Sequence, residues 1–374
     1  MKEEVKLLKE LIMQDTTNPL GNEYRAAKVV TDFFDENKIS YNTYEKVKGR
    51  TNVVARIGNG KKLLFAAHLD VVPGGDGWDT NAFKPVIKKN RLYGRGAVDN
   101  KGPLASMLVV AKYLKKIEHK LKVQIVFAAV ADEELGNVNG MKFLMDEGIL
   151  NPDYAIIPDI SGNCLDIDVA EKGSFFFNLT AYGKQAHGSR PDLGINAIEM
   201  IYEFNNMIRK SNFLKQTHKI LGKGSVNLGL IDGGAKHNMV PGKCKAGFDV
   251  RYVKGNMDIV LTELKDIAEK IGKFEFEILN HHGPTEVDPN NVLVKLIQKN
   301  VKKTMGKTPK TIGLEGSTVC KDLIDKGILA VGWSCGDKEL PHCANESIDI
   351  TELSQFTLIL RNIVLDFNKS FLKL

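Results

Sequence analysis

Four apolar runs in this 374-residue chain end on residues that strand interiors avoid. "LLFAA" runs into His68 and Asp70, and "VQIVFAAVA" into Asp132, Glu133 and Glu134. "YAIIP" runs into Asp159, and "ILAVGWS" into a loop that carries His342. Short apolar runs bounded by turn signals read as strands buried on both faces. Open α/β sheets build their sites at the carboxyl ends of their strands, so the four runs bring their polar groups to one crevice. Asp99, in the Gly-rich stretch "GRGAVDNKGP", belongs to the same place, just before a helix whose N-terminus can face it.

The segments between these runs have helical spacing. Helices are expected near residues 2–14, 22–37, 102–116 and 139–147, and a further strand near 51–57 before the one at 62–67 that ends in His68. Such alternation implies a mostly parallel sheet with helices on both faces. Near residue 172 the character changes. "GSFFFNLTAYGKQAH", "GSVNLGLIDGG" and "KCKAGFDVRYV" are strand-like, and helices near 194–209 and 256–271 go with them in a ββαβ-type α+β pattern. The α/β rhythm returns after about residue 285, with helices near 290–304, 317–326 and from 351. The expected organisation is an α/β domain of residues 1–171 and 284–374, interrupted by an insert of residues 172–283.

Composition narrows the function classes. Apolar residues make up 43% and charged residues 26%, as in ordinary globular proteins. The net charge of +6 comes from dispersed lysines, which argues against nucleic-acid binding. No apolar run approaches the roughly 20 residues of a membrane span. The N-terminal segment reads as an amphipathic helix, not a signal peptide. Five cysteines, an odd number with no CxxC pair, fit a reducing cytoplasm.

His and carboxylate groups gathered at strand ends suit divalent metal ions such as zinc. One His and one carboxylate for each of two ions, with a third carboxylate between them and one hydroxide, give four negative charges against two divalent cations. One acidic residue then remains for general-base work. Taken singly, each element has an ordinary structural reading; their recurrence at four strand ends favours the metal site.

In order, and over essentially the whole chain, "HLDVVPGGDGWDTNAF", "LYGRGAVDNKGP", "ADEELGN", "KQAHGSRPDLGINAI" and "GGAKHNMVPGKCKAGFDVRY" resemble the motifs of the M20 metallopeptidases. That family includes ArgE/DapE-type deacylases, aminoacylases, carboxypeptidases and dipeptidases. The resemblance implies a zinc-exopeptidase-like catalytic domain, with a mixed, mainly parallel sheet flanked by helices. It also implies that the α+β insert is a lid that commonly makes a homodimer. His68 and Asp159 would hold one zinc, and Glu134 and His342 the other. Asp99 would bridge them, with a cis peptide to Asn100. Asp70 would orient His68, and Glu133 would be the general base. His187 would steady the oxyanion, often from the partner subunit. Asn238 and Arg251 would hold a free substrate carboxylate, beside the small-residue loop of Gly316 and Ser317.

The expected activity is therefore hydrolysis of the amide bond of a small carboxylate-bearing substrate by a cytoplasmic di-zinc enzyme. Cobalt or manganese are the alternative ions. N-acyl-amino-acid deacylation comes first, and dipeptidase or carboxypeptidase action second. The "IPD" and "DNKGP" stretches lean toward the dipeptidase branch. A non-catalytic metal-binding protein and a thiol hydrolase using Cys343 are the rivals from other classes.

Overall fold

The structure is a computed structural model and describes residues 1–371. Its main strands are β1 (Tyr41–Tyr44), β2 (Asn52–Gly58), β3 (Lys61–His68), β4 (Val123–Val130), β5 (Tyr154–Ile157), β6 (Asp166–Glu171), β7 (Gly173–Tyr182), β8 (Ser225–Gly233), β9 (Lys243–Tyr252), β10 (Lys273–His282) and β11 (Leu329–Gly332). Its main helices are α1 (Glu3–Ile12), α2 (Tyr24–Glu36), α3 (Lys101–Lys116), α4 (Met141–Asp146), α5 (Ala197–Ile208), α6 (Met257–Ile271), α7 (Val292–Met305), α8 (Cys320–Asp325) and α9 (Ile350–Ser370). The chain forms two compact units. One comprises residues 1–169, 287–311 and 318–374, and the other residues 170–286 and 312–317.

The first unit is built on a sheet in the order β1-β2-β4-β3-β5-β11-β6. Its centre is parallel: β3 pairs with β4 on one side and β5 on the other, and β11 runs parallel to β5. The flanking strands are antiparallel, so the sheet is mixed and mainly parallel at its core. Leu63, Leu64, Phe65, Ala66 and Ala67 are fully buried, because helices cover both faces. Register places His68 beside Val130, so the ends of β3 and β4 lie level. Their loops therefore start side by side.

Two glycines let these loops pack closely. A Cβ on Gly140 would lie 1.8 Å from the Ala131 carbonyl oxygen, and one on Gly102 2.2 Å from that of Ala97. Both clashes involve main chain, which cannot move aside as a side chain can.

Residues 86–88, 91–93 and 347–349 form a small antiparallel sheet that the sequence reading did not anticipate. It joins the segment before Asp99 to the segment after His342. Several helices start where a side chain caps them: Asn291 for α7 and Asp349 for α9 accept from the first-turn amides. The expected helix over 317–326 is shorter, Cys320–Asp325, with the Thr318 hydroxyl accepting from the Cys320 amide.

The second unit runs β7-α5-β8-β9-α6-β10, with its four-stranded antiparallel sheet in the order β8-β9-β7-β10. The pattern is β-α-β-β-α-β, one strand more than the expected ββαβ. Strand β10 alternates Phe274 and Phe276 with Lys273, Glu275 and Glu277, which is a half-buried edge strand. The core lies between the sheet and its helices, where Phe177 stacks on Phe248 at 5.1 Å and meets Phe204 edge-on. Strand β7 stops at Tyr182, so "GKQAH" is not strand. Among the described residues no helix is long and apolar enough to cross a membrane.

Candidate metal centre

His68 ends β3 and is buried. Its Nδ1 lies 2.9 Å from the main-chain carbonyl oxygen of Asp70. A carbonyl only accepts, so Nδ1 carries a proton, and Nε2 is the ring nitrogen turned toward the carboxylates, where it could ligate an ion. Nε2 lies 2.8 Å from Asp99 Oδ1 and 3.3 Å from Asp159 Oδ1. The Asp70 carboxylate also faces the ring, its Oδ1 3.6 Å from Nδ1, within ion-pair range. That carboxylate accepts from the main-chain N–H of Glu133 and Glu134, and from Asn18 Nδ2 at 2.5 Å.

The acidic triplet after β4 divides its labour. Asp132 adopts φ +66° and turns inward, where Arg50 Nη1 meets its carboxylate at 2.9 Å. The same Arg50 nitrogen reaches Glu23 Oε1 at 2.7 Å and Asn18 Oδ1 at 2.8 Å. Glu133 and Glu134 follow in a single tight turn. Glu134 Oε1 lies 3.1 Å from His342 Nε2. Burial, reinforced by the Asp159 charge, pushes the Glu133 carboxyl well above its ordinary range.

Asp99 is the centre of the arrangement. Its Oδ1 faces His68 and its Oδ2 faces His342 Nε2 at 3.2 Å. The Asp99–Asn100 peptide is cis, as the resemblance implied. Asn100 precedes α3 without capping it, and its side-chain NH2 donates to Pro158 O at 2.8 Å and Asp159 Oδ1 at 2.5 Å. All seven residues expected in the first unit, His68, Asp70, Asp99, Glu133, Glu134, Asp159 and His342, are brought together from five segments.

Four carboxylates thus converge on two imidazoles, of which His68 is buried and His342 exposed. Ligating atoms of His68, Asp99 and Glu134 lie within 4.8 Å of one another, as do those of His68, Glu133 and Asp159. This nitrogen and oxygen donor set, net negative and oriented by hydrogen bonds from behind, fits divalent ions.

The other expected residues lie in the second unit. His187 is exposed, and its Nδ1 accepts from the Ser189 amide at 3.1 Å. An amide N–H only donates, so the ring proton is on Nε2, a free donor. The loops of His187 and Asn238 are joined by a bridge at Met239 and by the Gly188 amide donating to Asn238 O. Arg251 pairs with Asp249 at 2.7 Å, lies over the Phe176 ring, and reaches Glu315 O beside Gly316 and Ser317. The Cys343 thiol donates to Glu339 O, while His342 faces carboxylates.

Sequence reasoning passed over Asn18, Arg50, Arg95, Glu346 and the Asn100 side chain. Arg95 and Glu346 flank the ligands in "GRGAVD" and "HCANE", which was a usable signal. Asn18 and Arg50 carry none.

A mainly parallel sheet with histidines and carboxylates converging at its strand ends defines a metallohydrolase. Residues 64–366 match the family model described as peptidase family M20/M25/M40, and the chain belongs to that family. It is an enzyme acting on amide or peptide bonds. It is 31% identical to a probable succinyl-diaminopimelate desuccinylase of Staphylococcus aureus, over 79% of this chain and 80% of that one. An uncharacterized metallohydrolase of Methanocaldococcus jannaschii is 28% identical, over 97% of this chain and 99% of the other. The fold is that of an M20 family metallo-carboxypeptidase from Sulfolobus solfataricus, at a TM-score of 0.82 and 23% identity, covering 99% of this chain and all (100%) of the other.

Proposed function

We propose that the chain is a di-zinc N-acyl-amino-acid deacylase, of the desuccinylase or deacetylase kind, acting on a small substrate with a free carboxylate. The observation that carries the metal reading is Asp99, which presents one oxygen to each imidazole. His68 and Asp159 would hold one ion, Glu134 and His342 the other, with Asp99 between. Divalent ions bound there would lower the pKa of water and polarise the scissile carbonyl.

The chain's own residues do the rest. Glu133 takes the proton of the attacking water and returns it to the leaving amine. The Nε2–H of His187 donates to the developing oxyanion. Asn238 and Arg251, with Gly316 and Ser317, take the substrate carboxylate, for which Arg251 exchanges part of its pairing with Asp249. The same reading makes the second unit the lid of a homodimer and places the protein in the cytoplasm, where its five free cysteines stay reduced.

Similarity to a desuccinylase supports the deacylase reading. Asp159 after Pro158 and the carboxypeptidase-like fold support a dipeptidase or carboxypeptidase as the second. A turnover screen over N-succinyl and N-acetyl amino acids, dipeptides and tripeptides separates them. Turnover confined to acylated amino acids supports the first. Turnover confined to peptides with a free amino terminus overturns it.

A further inference from the structure

We propose that the buried Arg95–Glu346 ion pair is a positioning device that sets the metal position between Glu134 and His342, together with the bridging Asp99. This rests on the di-metal reading above. Both side chains are buried, at 2% and 0% exposure, and Arg95 Nη1 meets Glu346 Oε2 at 2.9 Å.

Each partner holds a different ligand loop. Glu346 Oε1 accepts from the amides of Val98 at 2.7 Å and Asp99 at 3.1 Å, and Oε2 from the Gly96 amide at 3.0 Å. Arg95 Nη2 donates to the carbonyl oxygen of His342 at 3.2 Å, and Nη1 to that of Cys343 at 3.1 Å. Nη2 also donates to Pro73 O and Gly74 O. One ion pair therefore couples the loop of Asp99 to the loop of His342.

His342 needs such support. It sits at φ +65°, a conformation that residues other than glycine seldom adopt. The other metal position shares Asp99 but has supports of its own. His68 is fixed by the Asp70 carbonyl and Asp159 by the Asn100 amide, neither of which touches Arg95 or Glu346. Arg95, which holds the His342 loop, thus acts mainly on the ion between Glu134 and His342, whereas Glu346, through Asp99, reaches both. From the solvent side, the Trp78 ring covers the Arg95 guanidinium at 5.3 Å, and its Nε1 donates to Gly74 O at 2.6 Å.

The test is a zinc titration against a competing fluorescent chelator, on the wild-type chain and on Arg95→Lys, Glu346→Gln and Trp78→Leu. Each variant is checked for folding by circular dichroism and for melting temperature in the metal-free state. Arg95→Lys is expected to keep one tight ion and to bind the second roughly 10–100-fold more weakly, the usual cost of losing a group behind a ligand; Glu346→Gln weakens the second ion as much and the first by less, through Asp99. Trp78→Leu moves the second affinity the same way by less. Folded variants that bind both ions as tightly as wild type, or weaken both equally, overturn the proposal and leave the pair a structural one. If neither buried variant folds, Trp78→Leu decides, and an unchanged second affinity overturns the proposal. A wild-type chain that takes up fewer than two ions overturns the di-metal reading itself, and the proposal with it.

Discussion

Asp70 and Glu134 meet through the main chain: Asp70 Oδ2 accepts the Glu134 amide at 3.0 Å, while Oδ1 accepts that of Glu133 at 3.1 Å. The carboxylate therefore sets the turn that presents both glutamates, and the carbonyl of the same residue sets His68. Asp70→Asn keeps the carbonyl and the size but turns an NH2 toward amide donors. Its kcat/KM is expected to fall roughly 10–100-fold, with His68 still in place. Wild-type rates in Asp70→Asn would show that the turn holds without it.

Glu133→Gln removes the base and retains the shape. Zinc content, read by atomic absorption, should stay at the wild-type level while kcat falls roughly 10²–10⁴-fold. Loss of metal with an unchanged rate per loaded site would reverse the assigned role.

Chelation should abolish activity, and zinc should restore it. Ions that bind the folded chain also stabilise it, by about 2.7 kcal/mol for each site at a free-ion concentration of 100 Kd. Denaturant unfolding with and without zinc measures this directly. Full activity in demonstrably metal-free protein would end the metal reading.

His187→Ala deletes the free Nε2 donor. The expected result is a kcat loss of roughly 10²–10³-fold, typical of an oxyanion donor, with metal content intact. A change confined to KM would instead make His187 a substrate-binding residue.

Arg50→Met leaves the buried carboxylates of Glu23 and Asp132 without their shared guanidinium. Breaking a buried pair in this way costs roughly 3–5 kcal/mol, readable by chemical denaturation. Adding Glu23→Gln removes one stranded charge and should recover part of the loss. An unaltered midpoint in Arg50→Met would mean that the network carries no stability.

Much of this architecture was legible in the chain. The apolar runs of β3, β4, β5 and β11 and their polar endings are local patterns, and local patterns survive folding because strand period and burial act over a few residues. His68, the acidic triplet, Asp159 and His342 were readable for that reason, while Glu134 within the triplet and Asp99 as the bridge came from the resemblance to the M20 motifs. Less visible was β10, whose alternating Phe and charged residues make an edge strand without a continuous apolar run.

What only the tertiary structure decided was how those endings are held. Nothing near Arg50 in the sequence points to Asp132, and nothing near Glu346 points to the amides of Val98 and Asp99. Even Asp70, two residues from His68, gives its carboxylate to the glutamate turn as well as facing the imidazole, and adds its carbonyl to the ring. The sequence by itself determined which chemistry arrives at the strand ends, since that follows from residue type and short-range periodicity. The partners of a buried charge are chosen by which loops the sheet order brings together, and by the cost of leaving any charge or amide there unpaired. Those are properties of the whole packed chain and of no stretch within it.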